Sequence, residues 1–217
     1  MQTVSLYQPI QKGLARVEDK LKSSSDLNFP FLAKILDHVF ETRGKKVRPA
    51  ITLLSSNFHP HDNHSVETMA TAVEMLHIAT LIHDDTVDNS DIRRGRATIS
   101  SLWGRNTAVL VGDYVFAASA TLVCDIGNVR IIKRFAQTIM ELSTGELQET
   151  AEASNCHHTM EQYLDRIYNK TASLFTTAAE SGAIISDASE VEVEALKNYG
   201  YNLGMAFQIV DDILDFE

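Results

Sequence analysis

The sequence contains few residues that interrupt helices and little of what marks secreted or membrane-spanning proteins. Only 4 of its 217 residues are proline and 10 are glycine, below the usual frequencies of about 5% and 7%. Its two cysteines, Cys124 and Cys156, are isolated, which excludes a disulfide framework or a CxxC motif and suits a reducing compartment. We expect both to be core residues. No uncharged apolar run approaches the length of about 18 residues that spans a membrane.

Positive charge is also scarce. The 19 basic residues stand against 29 acidic ones, for a formal net charge of −10, which argues against a general nucleic-acid surface. The first residues show no basic segment followed by an apolar one, as a secretory signal would. We therefore expect a cytoplasmic protein without a nucleic-acid partner. Transient proximity to a membrane stays open.

What remains is helical periodicity. Apolar residues recur at a spacing of 3.6 along the chain, whereas alternating runs are hard to find, so the sequence predicts an all-α fold. Residues 1–217 read as a single helical domain. The chain stops directly after an aspartate motif without a helix C-cap, from which we expect a C-terminally incomplete domain. Helices are predicted over 1–23, 31–40, from 66 to the first aspartate motif, 99–124, 130–153, 160–185 and from about 191 onward.

The central stretch ends in His83-Asp84-Asp85-Thr86-Val87-Asp88. The helical spacing places Asp84 and Asp88 one turn apart, about 6 Å along the axis. Their carboxylates are expected to extend a helix face that is apolar in the preceding turns. A buried carboxylate needs a cation, and Mg²⁺ prefers a few carboxylates, water and substrate phosphates. Two acids four residues apart also occur on solvated helix faces. The face that favours the interior reading consists of Val66, Met69, Ala70, Val73, His77, Thr80 and Asp84.

Basic residues cluster at two other points. The junction Gly44-Lys45-Lys46-Val47-Arg48-Pro49 leads into a helix and is rich in donors for an anion, although a solvated charge run is the plain alternative. Arg93 and Arg94 follow the first aspartates directly. Lys170 lies on an apolar stripe, where it needs an anionic partner, either an aspartate of the central site or a bound phosphate.

A second aspartate motif, Asp211-Asp212-Ile213-Leu214-Asp215, comes at the end of the last helix, after Gly200 and Gly204 on the same face. We expect these glycines to leave space beside a site. Two aspartate motifs, a basic junction, an arginine pair and an inner lysine together specify a site for a Mg²⁺-bridged polyanion. A diphosphate fits best, because neither a nucleophile with its base nor a histidine–cysteine metal cage is visible.

These residues resemble the trans-type (head-to-tail) polyprenyl diphosphate synthases. Residues 44–49 look like the family's GKxxRP junction, with Lys46 where an arginine is common, and residues 81–95 look like its first aspartate-rich motif with the trailing RRG. Further similarity lies in Gly112-Asp113-Tyr114, Lys170-Thr171 and residues 207–215. The resemblance implies a bundle of antiparallel helices around a deep apolar cavity, the isoprenoid synthase fold, as a homodimer.

The resemblance also implies roles for single residues. Lys45, Arg48 and His77 would bind isopentenyl diphosphate with help from Arg94. Arg93, Lys170, Thr171 and Gln208 would contact the allylic diphosphate or its metals. About three Mg²⁺ ions are implied on that diphosphate, with the metal ligands Asp84, Asp85, Asp88, Asp211, Asp212 and Asp215. The residues expected to be catalytic are Asp84, Asp85, Asp88, Arg93, Lys170 and Asp211.

Product length is expected to depend on the face of the helix that precedes Asp84. Each isoprene unit is about one helical turn, roughly 5 Å, so a tail that follows this face meets Ala79 and Thr80 first and Leu76 next. Short-chain members of the resembling family have aromatic residues at the first two positions. Small residues there imply a medium- to long-chain product of about C30 to C50, six to ten units of roughly one turn each.

Three alternatives remain. A non-catalytic subunit of a two-component prenyl synthase usually lacks the aspartates that are intact here. A class I terpene cyclase shares the Mg²⁺-bound diphosphate but ordinarily lacks a basic site such as Lys45 and Arg48. An HD-type phosphohydrolase rests only on His83-Asp84.

Overall fold

The computed structural model describes residues 7–41, 44–152 and 159–216, without the side chain at 152. The start of the predicted first helix and Cys156 lie outside these residues. Within these residues, a short 3-10 helix, Gln8–Ile10, precedes ten α-helices, and a π-helix, Tyr168–Ala172, lies between the eighth and the ninth of them. The α-helices are α1 Gln11–Ser23, α2 Pro30–Phe40, α3 Val47–Ser56, α4 Asn63–Val87, α5 Ile99–Trp103, α6 Arg105–Asp125, α7 Val129–Glu152, α8 Met160–Ile167, α9 Ser173–Ile185 and α10 Glu190–Leu214.

Within the described ranges, the only strands are β1 Ile92–Arg93 and β2 Arg96–Ala97, which pair antiparallel in one small hairpin. The prediction of an all-α fold is therefore confirmed. The chain divides into two compact units, one formed by residues 1–50 and 67–126, the other by residues 51–66 and 127–217.

In the first unit, α4 is covered on all sides in its middle part. Every residue from Glu67 to Leu76 is buried, including polar ones. The sequence predicts one buried face, whereas α4 is buried on several faces. Polar residues can be buried there because side chains of α1 pair with them. Glu67 accepts a hydrogen bond from Arg16 at 2.8 Å, and Lys20 donates to Thr68 at 3.0 Å. These pairings let a helix with polar residues on several faces be buried.

In the second unit, α9 is the central helix. All eleven residues from Ser173 to Ala183 are buried, so neighbouring helices cover its whole circumference. Gly200 and Gly204 of α10 allow this packing. A Cβ at Gly204 would lie 2.6 Å from the Cα of Ala172, and one at Gly200 would lie 2.7 Å from the carbonyl oxygen of Phe175. The expectation that these glycines leave space is wrong, since backbone of the neighbouring helix fills it.

Gly104 and Gly112 both lie in the predicted helix over 99–124, but only the first of them interrupts it. Gly104 has a φ of 86° and separates α5 from α6, whereas Gly112 lies inside α6. Cys124 is exposed, contrary to the expectation of a core residue, because it follows the buried Val123 on the other side of the helix. Among the described helices, α6 alone is long and apolar enough to cross a membrane by length and composition, a test that core helices of soluble proteins also pass.

Candidate active site

The three aspartates at the end of α4 lie in three different environments. Asp85 is buried and accepts a hydrogen bond from Nε of Arg93 at 2.6 Å. Asp84 is half-buried, and Asp88 is exposed, one residue past the helix end, where Asn89 adopts a left-handed φ of 54°. The expectation that Asp84 and Asp88 both continue an interior face is therefore wrong for Asp88. Burial raises the pKa of Asp85, and the hydrogen bond from Arg93 opposes that shift.

The hairpin after α4 fixes the arginine pair. Arg94 and Gly95 have φ values of 50° and 76°, as a two-residue turn with both central residues left-handed requires. His38 anchors the second strand, with its Nε2 2.9 Å from the carbonyl oxygen of Ala97 and its Nδ1 3.3 Å from Nη2 of Arg96. Because a guanidinium only donates, Nδ1 of His38 accepts and Nε2 carries the proton.

Four cationic side chains lie close enough to His77 to affect its pKa. Burial lowers the pKa of His77 well below its usual range, and the nearby charges of Arg48, Arg94, Arg93 and Lys46 lower it further. The imidazole is therefore neutral at pH 7. Burial also lowers the pKa of Arg48 to about 10, which leaves its guanidinium charged. We call Lys46, Arg48, Arg93 and Arg94 the cation cluster.

The basic junction contributes to this cluster differently from the prediction. Arg48 belongs to it, but Lys45 is exposed, and Lys46 instead turns inward with a φ of 50°. Nζ of Lys46 lies 3.5 Å from Oε1 of Glu74, and both side chains are largely buried. Sequence reasoning missed Lys46 and Glu74. The available signal was the position of Glu74 one turn before His77 on the same face of α4.

A half-open cavity lies beside the cation cluster. It is enclosed by α2, α4, the hairpin and the start of α5, with apolar walls and the polar groups at one side. Such a cavity, apolar with a few convergent charges, is the usual form of a small-molecule site. The residues that line it are His38, Val39, Glu74, His77, Ile78, Leu81, Ile82, Asp85, Arg93, Arg94, Arg96, Ala97, Thr98 and Ile99.

The three predicted chain-length residues do not line this cavity. Leu76 and Ala79 are fully buried, and Thr80 is half-buried, with its hydroxyl donating to the carbonyl oxygen of His77 at 2.7 Å. They lie on the side of α4 turned away from Leu81. Their role in product length stays a prediction.

In the second unit, the second aspartate motif ends α10. Asp211 and Asp215 are exposed, whereas Asp212 is held by two donors. Tyr163 donates to one of its oxygens at 2.7 Å and Gln208 to the other at 2.7 Å. Gln208 in turn accepts from Thr171 at 2.6 Å. Burial and then the contact with Asp212 raise the pKa of Tyr163 to about 12, so the phenol stays a donor at neutral pH.

Lys170 lies in the π-helix, an irregularity that is frequent at functional sites. Its ammonium pairs with Glu149 and lies 3.3 Å from Oε1 of Glu146, both on α7. These glutamates, rather than an aspartate of the central site, are the acidic partners of Lys170 in the structure. A role for Lys170 at a bound phosphate stays a prediction. Gly145 permits the contact, because a Cβ there would lie 2.6 Å from the backbone nitrogen of Lys170.

Comparison with known proteins decides the family. The polyprenyl synthetase family model matches residues 29–217. The chain belongs to the polyprenyl synthetase family. It is 36% identical to heptaprenyl diphosphate synthase component 2 of Geobacillus stearothermophilus, over 100% of this chain and 68% of that protein. It is 39% identical to nonaprenyl diphosphate synthase of Mycobacterium tuberculosis, over 96% of this chain and 62% of that protein.

A solved relative gives the same answer for the fold. The crystal structure of a decaprenyl diphosphate synthase from Rhodobacter capsulatus superposes with a TM-score of 0.91 at 40% identity, over 97% of this chain and 65% of that one. The isoprenoid synthase fold is therefore confirmed, and these three relatives are named as hepta-, nona- and decaprenyl diphosphate synthases. The chain spans about two thirds of the length of the relatives it matches.

The polyprenyl synthetase family is generally Mg²⁺-dependent, and each unit offers oxygen donors that suit the ion. In the first unit these are the half-buried carboxylate of Asp84 and the exposed one of Asp88, and in the second unit the exposed carboxylates of Asp211 and Asp215. In the described residues no three acidic, histidine or cysteine side chains form a ready metal cage. Mg²⁺ rarely uses such cages, because it keeps water and takes substrate phosphates as ligands.

The family signature Gly112-Asp113-Tyr114 has a packing role in this chain. The His83 ring lies directly on Gly112, where a Cβ would be 2.2 Å from Nε2, and the same nitrogen is 3.4 Å from a carboxylate oxygen of Asp113. His83 thus contacts α6. This contact gives no support to a phosphohydrolase.

The depressed pKa of His77 predicts how stability depends on pH. The unfolded state binds a proton near the ordinary pKa of about 6.5 while the folded state does not, so this contribution to stability is present above that pH and lost below it. Relative to His77→Gln, the free energy of unfolding of the unmodified protein should decrease by up to about 1.4 kcal/mol per pH unit below about 6.5.

Urea unfolding at pH 5, 6 and 7 measures this difference. Parallel profiles for His77→Gln and the unmodified protein would contradict a neutral, half-buried His77.

Proposed function

We propose that the protein of which this chain is part condenses isopentenyl diphosphate with an allylic prenyl diphosphate to give a longer trans-polyprenyl diphosphate. The observation that carries the proposal is the cation cluster around neutral His77. Its four cations outnumber the two carboxylates beside them, Glu74 and Asp85, by two. A site with this excess of positive charge suits a diphosphate.

The cation cluster would bind isopentenyl diphosphate, with its short apolar part in the adjoining cavity. Arg48 and Arg94 present planar guanidinium groups, which match phosphate oxygens in pairs. His77, being neutral, can donate one hydrogen bond without adding charge. Lys45, exposed in this structure, would reach the same phosphates from outside.

The allylic diphosphate would be held through Mg²⁺ by Asp84 and Asp88, with Arg93 beside them. Bound Mg²⁺ would neutralise the negative charge that develops on the leaving diphosphate. We also propose that Asp211 and Asp215 bind Mg²⁺, that about three ions are bound in all, and that Lys170 contributes positive charge. Asp212 orients the second motif through Tyr163 and Gln208.

The chemistry then requires one bond to break and one to form. The allylic carbon–oxygen bond breaks and its electron pair leaves with the diphosphate. The π electrons of the isopentenyl double bond form the new carbon–carbon bond to the allylic cation, which leaves a tertiary cation on the inner alkene carbon. The CH₂ group next to that cation then loses a proton to the released diphosphate, and the electron pair of its C–H bond forms the new double bond. The residues on this chain bind and orient the two diphosphates and stabilise charge.

Two alternatives are less well supported. A class I terpene cyclase needs no second diphosphate site, so the cation cluster would have no purpose in it. Membership of a two-component enzyme has one observation in its favour, since one relative is named component 2 of a heptaprenyl diphosphate synthase. The intact aspartates favour a catalytic role in either arrangement.

We propose a homodimer in which α6 forms the contact. Val109, Leu110 and Tyr114 lie on one exposed side of this helix, and Leu110 is 68% exposed. Apolar patches of this kind mark interaction surfaces. We also propose that a product of about C30 to C50, which is a lipid several helical turns long, is released near a membrane.

The first prediction tests catalysis. In the presence of Mg²⁺, isopentenyl diphosphate and an allylic diphosphate, Asp84→Asn should lower turnover by about 100-fold or more, because it removes a ligand charge at constant volume. Asp91→Asn removes the same charge from an exposed position nearby and should keep most of the activity. A folded but inactive unmodified chain would contradict independent catalysis, and activity restored by a second chain would indicate a two-component enzyme.

The second prediction concerns product length. Thr80→Phe, alone and with Ala79→Phe, should shorten the product by several isoprene units, because an aromatic ring closes the path along that face. Leu81→Phe is the matched comparison, since Leu81 lines the cavity on another side of α4. Product sizes that change only with Leu81→Phe would show that the tail follows the cavity instead.

The third prediction concerns assembly. Sedimentation should find a dimer for the unmodified protein and a monomer for Leu110→Asp, since a buried charge without a partner opposes association. Val191→Asp, at an exposed position that starts α10, should remain a dimer. A monomeric unmodified protein, or a dimeric Leu110→Asp variant, would contradict the α6 interface.

A further inference from the structure

Glu74 is a buried acid in a site that the proposed function assigns to an anion. It is 6% exposed, lines the cavity beside the cation cluster, and lies one turn before His77 on α4. Its Oε1 is 3.5 Å from Nζ of Lys46, and its negative charge also acts on Arg48. A carboxylate here repels a bound diphosphate, so its presence requires an explanation.

The partly buried cations explain why an acid is present in this site. Charged groups removed from water cost free energy unless an opposite charge lies close. Asp85 compensates Arg93 at 2.6 Å, and Glu74 compensates Lys46. Two cations of the cluster are thus paired with a carboxylate of the same unit: Arg93 with Asp85, and Lys46, from the basic junction, with Glu74.

Lys46 is the group that can change partner. Its backbone is in the left-handed region at a φ of 50°, which turns its side chain inward while Lys45 stays exposed. Its distance to Glu74 is longer than that of a tight ion pair, which is about 2.7–2.9 Å. A long, flexible side chain with a point charge can move from one oxygen ligand to another at little cost.

We propose that Glu74 is the internal counter-anion of the diphosphate site: it holds Lys46 in the absence of substrate, and an incoming diphosphate competes with it for that lysine. Lys46 becomes a diphosphate ligand beside Arg48 and Arg94. Glu74 keeps the empty site assembled and weakens anion binding, which eases release. This inference rests on the proposed function, because it takes the cation cluster to be a diphosphate site.

The test is binding of inorganic diphosphate by calorimetry in the presence of a chelator. Without Mg²⁺ the aspartate motifs cannot bind the anion, so only the basic site responds. Glu74→Gln removes the charge at nearly constant volume. It should bind diphosphate at least about threefold more tightly than the unmodified protein, since a like charge next to the anion is lost, and it should unfold at a lower temperature when no anion is present.

Glu67→Gln is the matched control. Glu67 lies on the same helix, is also 6% exposed, and also pairs with a cation, Arg16 at 2.8 Å, away from the cavity. Glu67→Gln should lower the unfolding temperature and leave diphosphate affinity unchanged. Glu74→Asp keeps the charge and should not bind more tightly. Equal or weaker binding by Glu74→Gln, or tighter binding by either control, would overturn the proposal.

Two further variants separate the possible failures. Arg48→Ala should abolish most of the binding, and an unmodified protein that binds no diphosphate under these conditions would overturn the anion site itself. Lys46→Gln should bind at least about threefold more weakly, and it tests the proposal even if Glu74→Gln does not fold. Unchanged affinity in Lys46→Gln would show that Lys46 serves only the ion pair with Glu74.

Discussion

The first unit depends on the burial of α4 up to its last turns. A helix covered on all sides must supply a partner for every polar group it carries, because water cannot. Glu67 obtains Arg16, and Glu74 obtains Lys46. Toward Asp84 the cover opens, and polar groups there can bind something other than protein. The position of the site thus follows from where the burial of one helix ends.

The same rule explains which parts could be predicted from sequence. Helices and aspartate motifs were predictable, because periodicity and spacing are local properties of the chain. The inward position of Lys46 instead of Lys45 was not, since it depends on a left-handed residue at 46. Nor were the partners of Lys170, because Glu146 and Glu149 lie more than twenty positions earlier in the chain. Periodicity and spacing describe residues that are close in sequence, so they do not predict contacts between residues that are far apart in sequence.

The errors have a common physical origin. Small residues near a motif suggested open space, yet Gly200 and Gly204 let helices approach more closely. Whether a missing side chain leaves a hole or a contact depends on what lies opposite, and close packing usually fills it. Cys124 shows the reverse case, since a residue type that is usually buried stands on an exposed side of α6.

The three aspartates of the first motif divide their tasks by exposure. Asp85 is buried and accepts a hydrogen bond from Arg93, and this ion pair stabilises the position of the hairpin that contains Arg93 and Arg94. Asp88 has left the helix and keeps its carboxylate in solvent, with Asp84 between these extremes. An ion that retains its water needs accessible oxygens rather than a buried cage. The motif therefore combines one acid that pairs with Arg93 and two acids with more accessible carboxylates, and the cost of burying Asp85 is offset by placing Arg93 beside them.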